Sequence, residues 1–112
     1  MIKYWQYLDA YAKDRESILA AVDRVFSSGR LILGREVERF ERNFAADCGT
    51  AYGVGVNSAT DALFLALRAL DIGRSDEVIT VANTAVPTIA AIRAAGATPV
   101  FVDVEEDTFL MD

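Results

Sequence analysis

The sequence has no histidine, one cysteine and two lysines among its 112 residues. The missing histidine removes the side chain most often used as a general base near neutral pH. A single cysteine, Cys48, excludes an internal disulfide. It stands just before Gly49, where a helix is predicted to end. The partial negative charge of a helix end disfavours a thiolate, so an inert, buried thiol is expected. Positive charge is scarce as well: 11 Lys and Arg against 17 Asp and Glu leave a net charge of −6. No basic patch can dominate that field, which argues against a nucleic-acid or anionic-membrane partner. No apolar run reaches the roughly 18 residues of a membrane-spanning helix. The start, Met1-Ile2-Lys3-Tyr4-Trp5, has no continuous apolar core or cleavage site of a secretory signal, so the cytoplasm is the expected location. There is no Gly-Lys-Ser/Thr phosphate loop and no G-x-G-x-x-G fingerprint. No metal site, repeat, linker or low-complexity stretch is expected.

What is present is the composition of a globular domain, 53% apolar and 25% charged. A chain of this length buries roughly two thirds of its unfolded surface, enough for one modest core. The first dozen residues form an arm whose aromatics, Tyr4, Trp5, Tyr7 and Tyr11, need a packing surface. Ile18, Leu19, Val22, Val25 and Phe26 recur at helical spacing and predict a helix over about 9–26, stopped by Ser27-Ser28-Gly29. A second helix is predicted over 35–48, with Val37, Phe40, Phe44 and Ala45 on one stripe.

From Thr50 the pattern changes. Residues 51–56 read as a strand in which Gly53 and Gly55 share a face and admit another backbone closely. Asn57 to Thr60 form a turn into a helix over 61–70, apolar almost all round and therefore expected to be well buried. A strand over 77–81, a helix over 86–95 with Pro87 in its first turn and Gly96 past its end, and a strand over 99–104 follow. Apolar strands alternating with helices predict an α/β fold with a mostly parallel sheet covered on both faces.

The strand–turn–helix around Ser58 to Asp61 carries the chemistry. A sharp entry into a helix presents free backbone N–H groups and the positive end of the dipole, which together suit a phosphate. The small Ser58 and Ala59 permit close approach, and the Ser58 and Thr60 hydroxyls add potential donors. Plain helix capping explains the same residues: Ser58 as N-cap with Asp61 three positions on satisfies the helix start with no ligand. The loop Ala82 to Thr88 follows the next strand, and ligand crevices of parallel sheets lie at the carboxyl ends of strands. Here the plain reading is a connection with Asn83 or Thr84 as the cap.

Four stretches, in this order and spacing, give a specific resemblance. They are Ser28-Gly29-Arg30-Leu31-Ile32-Leu33-Gly34 with Glu36 and Phe40; Gly55 to Leu63; Asp76 to Thr80 with Ala82-Asn83-Thr84; and Gly96 to Val104. Together the chain resembles the DegT/StrS family of pyridoxal-phosphate-dependent aminotransferases, which act on nucleotide-linked keto-sugars.

The resemblance implies a partial three-layer α/β/α fold, the large domain of these transferases, preceded by N-terminal helices. It divides the chain into an arm with helices over 1–49 and an incomplete cofactor-binding domain over 50–112. It implies pyridoxal 5'-phosphate as cofactor, its phosphate held by backbone N–H groups at Ala59 and Thr60. Ala85 takes the position where many relatives stack an aromatic side chain on the pyridine ring. Arg30 lies in a loop near the substrate side of relatives and is a candidate for contacting a sugar or its phosphates, beside its plain reading as a solvated turn charge. The implied partners are a nucleotide sugar, an amino donor and, for the complete enzyme, a second identical subunit.

The reaction also needs a lysine amine to hold the cofactor and shuttle a proton. Lys3 and Lys13 lie outside the strand-and-loop region, so no catalytic residue is assigned. Asp103 matches a structural position. The chain is expected to be about the first third of a family member. The competing reading is a non-catalytic α/β module that binds a phosphorylated ligand or another chain. A Ser-x-x-x-x-Lys stretch following Asp112 in the same reading frame would separate the two.

Overall fold

The computed structural model describes residues 4–112. Its elements are α1 (Tyr7–Ser27), α2 (Arg35–Asp47), α3 (Ala59–Ala69), β1 (Glu77–Val81), α4 (Val86–Ala95) and β2 (Thr98–Val102). They fall into two compact units, Met1–Gly55 and Val56–Asp112.

In the first unit α1 carries the predicted apolar stripe, but none of its residues is buried; Ile18, Leu19, Val22 and Phe26 are exposed. In the arm, Tyr7 stacks on Tyr11 one turn later, ring centroids 6.0 Å apart, while Tyr4 and Trp5 are exposed. The same i, i+4 geometry stacks Phe40 on Phe44 along α2 at 5.6 Å.

α2 ends where Gly49 turns left-handed at φ +67, letting the Thr50 N–H reach back to the Ala45 carbonyl at 2.9 Å. That reversal leaves Cys48 at the end of the helix and exposed, not buried as the sequence led us to expect, because nothing among the described residues covers it.

After the reversal the chain runs back along α2. A Cβ placed on Gly53 would lie 3.6 Å from the Ala45 Cβ and 2.8 Å from the Glu41 carbonyl oxygen; one on Gly55 would lie 3.6 Å from a Val37 methyl. The two glycines therefore admit a close neighbour, and that neighbour is a helix. Residues 51–56 themselves do not form the expected strand. A strand requires a partner ladder, and these residues have none among the described residues.

The second unit contains a β–α–β crossover. β1 and β2 pair in parallel, with Glu77 opposite Thr98 and Val81 opposite Val102. The joining α4 packs on β2 and against α3. Gly96 closes α4 in the left-handed region at φ +95, and the Ala97 N–H returns to the Ile92 carbonyl at 3.2 Å. Ala91, Ile92, Ala95 and Ala97 are buried there together with Thr80.

Two further expectations need correction. α3 contains no buried residue, and Leu63 and Leu65 are exposed, because the described residues supply α4 against it but nothing over its remaining faces. β2 ends at Val102; Val104 instead makes an isolated antiparallel bridge to Met111, since the chain folds back on itself.

Candidate phosphate-binding turn and family

Ser58 is the N-cap of α3, in extended conformation. Its Oγ accepts the Asp61 N–H at 3.1 Å, and its hydroxyl donates to Asp61 Oδ2 at 2.8 Å. The first bond of the helical ladder runs from the Ala62 N–H to the Ser58 carbonyl at 3.0 Å. The capping predicted from Ser58 and Asp61 is thus formed, and it satisfies the third N–H of the helix. The first two, on Ala59 and Thr60, have no acceptor among the described residues. Cap and anion site are therefore compatible: one holds the turn, and two amides remain directed out of the helix start.

The side chains at this turn are small. Ala59 is exposed and adds only a methyl group; Thr60 is partly buried and its hydroxyl makes no hydrogen bond among the described residues. The Ser58 hydroxyl, read from sequence as a possible phosphate donor, has its proton directed at Asp61 instead. The residues present are compatible with an oxyanion: two free amides, a helix dipole and little side-chain bulk.

Ala85 is the N-cap of α4, and as an alanine it offers no side-chain cap. Neither Asn83 nor Thr84 caps the helix either. Thr84 Oγ1 pairs with Thr88 Oγ1 at 2.9 Å, tying the loop to the first turn of α4. Ala59 and Thr60 are adjacent on α3, and Ala85 opens the helix packed against it.

Arg30 lies in the first unit, lining a cleft of about 420 Å³ together with Arg24, Arg35 and Glu36. Glu36 pairs with Arg39 at 2.7 Å and lies 3.5 Å from Arg24. Arg30 has no ion-pair partner among the described residues. The loop around it is tightly wound: Leu33 is left-handed at φ +49, and a Cβ on Gly34 would meet the Arg30 carbonyl oxygen at 2.9 Å.

Lys13 is exposed on α1, and Lys3 lies outside the described residues. Asp103 Oδ1 accepts the adjacent Val104 N–H at 2.9 Å, and its main-chain carbonyl accepts the Asp112 N–H at 3.2 Å. The residue that sequence reading passed over is Glu41. Its Oε1 accepts the Gly55 N–H at 2.7 Å. The signal was a carboxylate midway between Val37 and Ala45, four residues from each, on the stripe of α2 that faces Gly53 and Gly55.

Comparison with known proteins identifies the architecture. Residues 12–112 match the family model of the DegT/DnrJ/EryC1/StrS aminotransferase family. The chain is 53% identical over 108 residues to dTDP-3-amino-3,4,6-trideoxy-alpha-D-glucose transaminase of Micromonospora megalomicea subsp. nigra, covering 96% of this chain and 29% of that protein. Among solved structures, DesV of S. venezuelae in complex with a ketimine intermediate superposes with a TM-score of 0.93 at 47% identity, over 99% of this chain and 30% of that one. NtdA of Bacillus subtilis with bound cofactor PMP gives 0.85 at 33% identity, over 89% and 23%. The chain spans about three tenths of the length of the curated relative. With the family model matched over nine tenths of its residues, and with the β–α–β crossover and capped turn described above, the chain belongs to the DegT/DnrJ/EryC1/StrS aminotransferase family.

Proposed function

We propose that this chain is the part of a nucleotide-sugar aminotransferase that holds the phosphate of pyridoxal 5'-phosphate. The observation that carries the reading is the pair of unpartnered amides on Ala59 and Thr60 at the start of a helix whose third amide is already capped by Ser58. Two parallel N–H groups on the positive end of a helix bind a phosphate without help from a cationic side chain. The cofactor, when bound, supplies the electron sink that lets an amino group be transferred. Ala59 and Thr60 contribute binding and orientation at its phosphate end.

In this reading Ala85 leaves the ring face open where many relatives stack an aromatic side chain, so orientation depends more on the phosphate grip. Residues 50–112 form part of the cofactor-binding domain, and residues 1–49 are its arm and preceding helices. The substrates are a keto-sugar linked to a nucleotide and an amino donor, typically glutamate. Arg30 is a candidate contact for the phosphates of that nucleotide. The complete enzyme works as a cytoplasmic homodimer.

Thr60→Pro tests the reading. Proline early in a helix removes one N–H at small structural cost. The full translated polypeptide carrying this substitution should bind pyridoxal 5'-phosphate at least tenfold more weakly, the loss of one charge-assisted hydrogen bond, while its thermal midpoint moves by only a few degrees. Unchanged affinity, or a loss of affinity that merely tracks unfolding, overturns the assignment.

A further inference from the structure

The side chain that caps a helix start can accept either the second or the third backbone N–H of the helix. In α3 those two amides belong to Thr60 and Asp61. Ser58 Oγ accepts the Asp61 N–H at 3.1 Å and, among the described residues, not that of Thr60. Its one proton goes to Asp61 Oδ2 at 2.8 Å. Chemistry fixes both directions: an amide N–H only donates, a carboxylate only accepts, and a hydroxyl does both. Both bonds draw the hydroxyl toward the third residue of the helix. Ser58 to Asp61 are consecutive and lie within the unit Val56–Asp112, so this geometry is set locally.

The Asp61 N–H does not by itself decide where the hydroxyl stands, because the Thr60 N–H one residue earlier is an equivalent donor. The Asp61 carboxylate does. A hydrogen bond to a charged acceptor is about twice as strong as one between neutral groups, and this one ends on the residue whose amide is capped. In the commoner capping box a Glu or Gln at this place reaches back to the backbone N–H of the cap residue. The shorter aspartate takes the cap's hydroxyl instead.

We propose that Asp61 is a positioning residue that keeps the Thr60 amide open: its carboxylate holds the Ser58 hydroxyl on the third N–H of α3, so the cap does not occupy the second, and the adjacent amides of Ala59 and Thr60 stay available to an oxyanion. This rests on the reading of that turn as a phosphate site. Without the carboxylate, the hydroxyl is free to accept the Thr60 N–H, and a phosphate must displace it before binding. The negative charge of Asp61 acts in the opposite sense, since it repels an anion nearby. The two effects are separable because a neutral side chain can keep the acceptor. No contact between Asp61 and the cofactor is required.

The test uses the full translated polypeptide, unsubstituted and with Asp61→Asn, Asp61→Ala, Ser58→Gly, or Ser58→Gly and Asp61→Ala together. Binding of pyridoxal 5'-phosphate and of pyridoxal, which lacks the phosphate, is titrated for each. Asp61→Asn and Asp61→Ala both remove the charge, but only Asp61→Asn keeps an oxygen that holds the hydroxyl. Asp61→Ala should therefore bind pyridoxal 5'-phosphate roughly fivefold more weakly than Asp61→Asn, the net worth of one neutral hydrogen bond. Pyridoxal should bind both alike. Adding Ser58→Gly to Asp61→Ala deletes the competing hydroxyl and should restore the affinity of Asp61→Asn, a rescue that a merely structural role does not give. Ser58→Gly alone should not tighten binding, because in that background the hydroxyl is already held away. Equal affinities of Asp61→Ala and Asp61→Asn overturn the proposal, as does a loss that Ser58→Gly fails to recover, or one shared by pyridoxal. So does tightening by Ser58→Gly in both backgrounds alike. If the unsubstituted protein does not prefer pyridoxal 5'-phosphate over pyridoxal, the phosphate reading itself falls, and this proposal with it. If it does, the other outcomes bear on Asp61 alone.

Discussion

The Cβ that Gly53 lacks would stand 2.8 Å from the carbonyl oxygen of Glu41. Real Cβ atoms do not approach a backbone oxygen so closely, and this oxygen belongs to a helix that cannot move without disturbing its ladder. Gly53→Ala should therefore destabilise the full polypeptide by about 1–3 kcal/mol, the usual cost of overpacking a tight contact. Chemical denaturation measures it. A change below about 0.5 kcal/mol would show that α2 and the segment after it do not pack in this way.

The Ser58 cap is separable from the amides beside it. Ser58→Ala removes the acceptor for the Asp61 N–H and the donor to Asp61 Oδ2. Loss of an N-cap hydroxyl costs roughly 1 kcal/mol of stability. Ser58→Gly, which keeps the extended cap conformation accessible, should cost only a few tenths of a kcal/mol. Denaturant midpoints of the two variants give the order; Ala and Gly variants of equal stability would remove the cap from the account of α3.

These 112 residues should catalyse no transamination by themselves. Lys13 is exposed on α1, and the only other lysine is Lys3. Neither belongs to the turn before α3 or the loop before α4. Addition of pyridoxal 5'-phosphate should produce no new visible absorption band of a cofactor held covalently by a lysine. A band that disappears on Lys13→Ala or Lys3→Ala would refute this.

The same residues, expressed alone, should be aggregated or molten. Among the described residues the buried apolar ones are Ala45, Ala91, Ile92, Ala95 and Ala97. Burial of one isoleucine contributes about 1.5–3 kcal/mol and an alanine much less, against roughly 1–2 kcal/mol of backbone entropy for every residue ordered. Leu63, Leu65, Phe40, Phe44 and Phe101 are meanwhile exposed. The outer edges of the two-stranded sheet offer unpaired backbone to other chains. Sedimentation and thermal unfolding decide the matter: a monomer with a sharp transition would contradict the expectation.

Local patterns were legible from the residues. The helix starting near Ser58, the stop at Gly96, the strand over 77–81 and the glycine pair at 53 and 55 all follow from capping, left-handed turns and side-chain size, which act over a few residues. The order of motifs pointed to the family for the same reason: the turn, its loop partner and the following strand are each local, and their spacing survives in the sequence. Tertiary structure decided the rest. Whether 51–56 is a strand depends on a neighbouring backbone, and among the described residues its neighbour is α2. Whether α3 is buried depends on what covers it, which its own apolar residues cannot state. That Glu41 meets Gly55 depends on a chain reversal at Gly49 bringing together residues 14 apart. A pattern of hydrophobicity records which faces seek cover; only the folded chain determines what provides it.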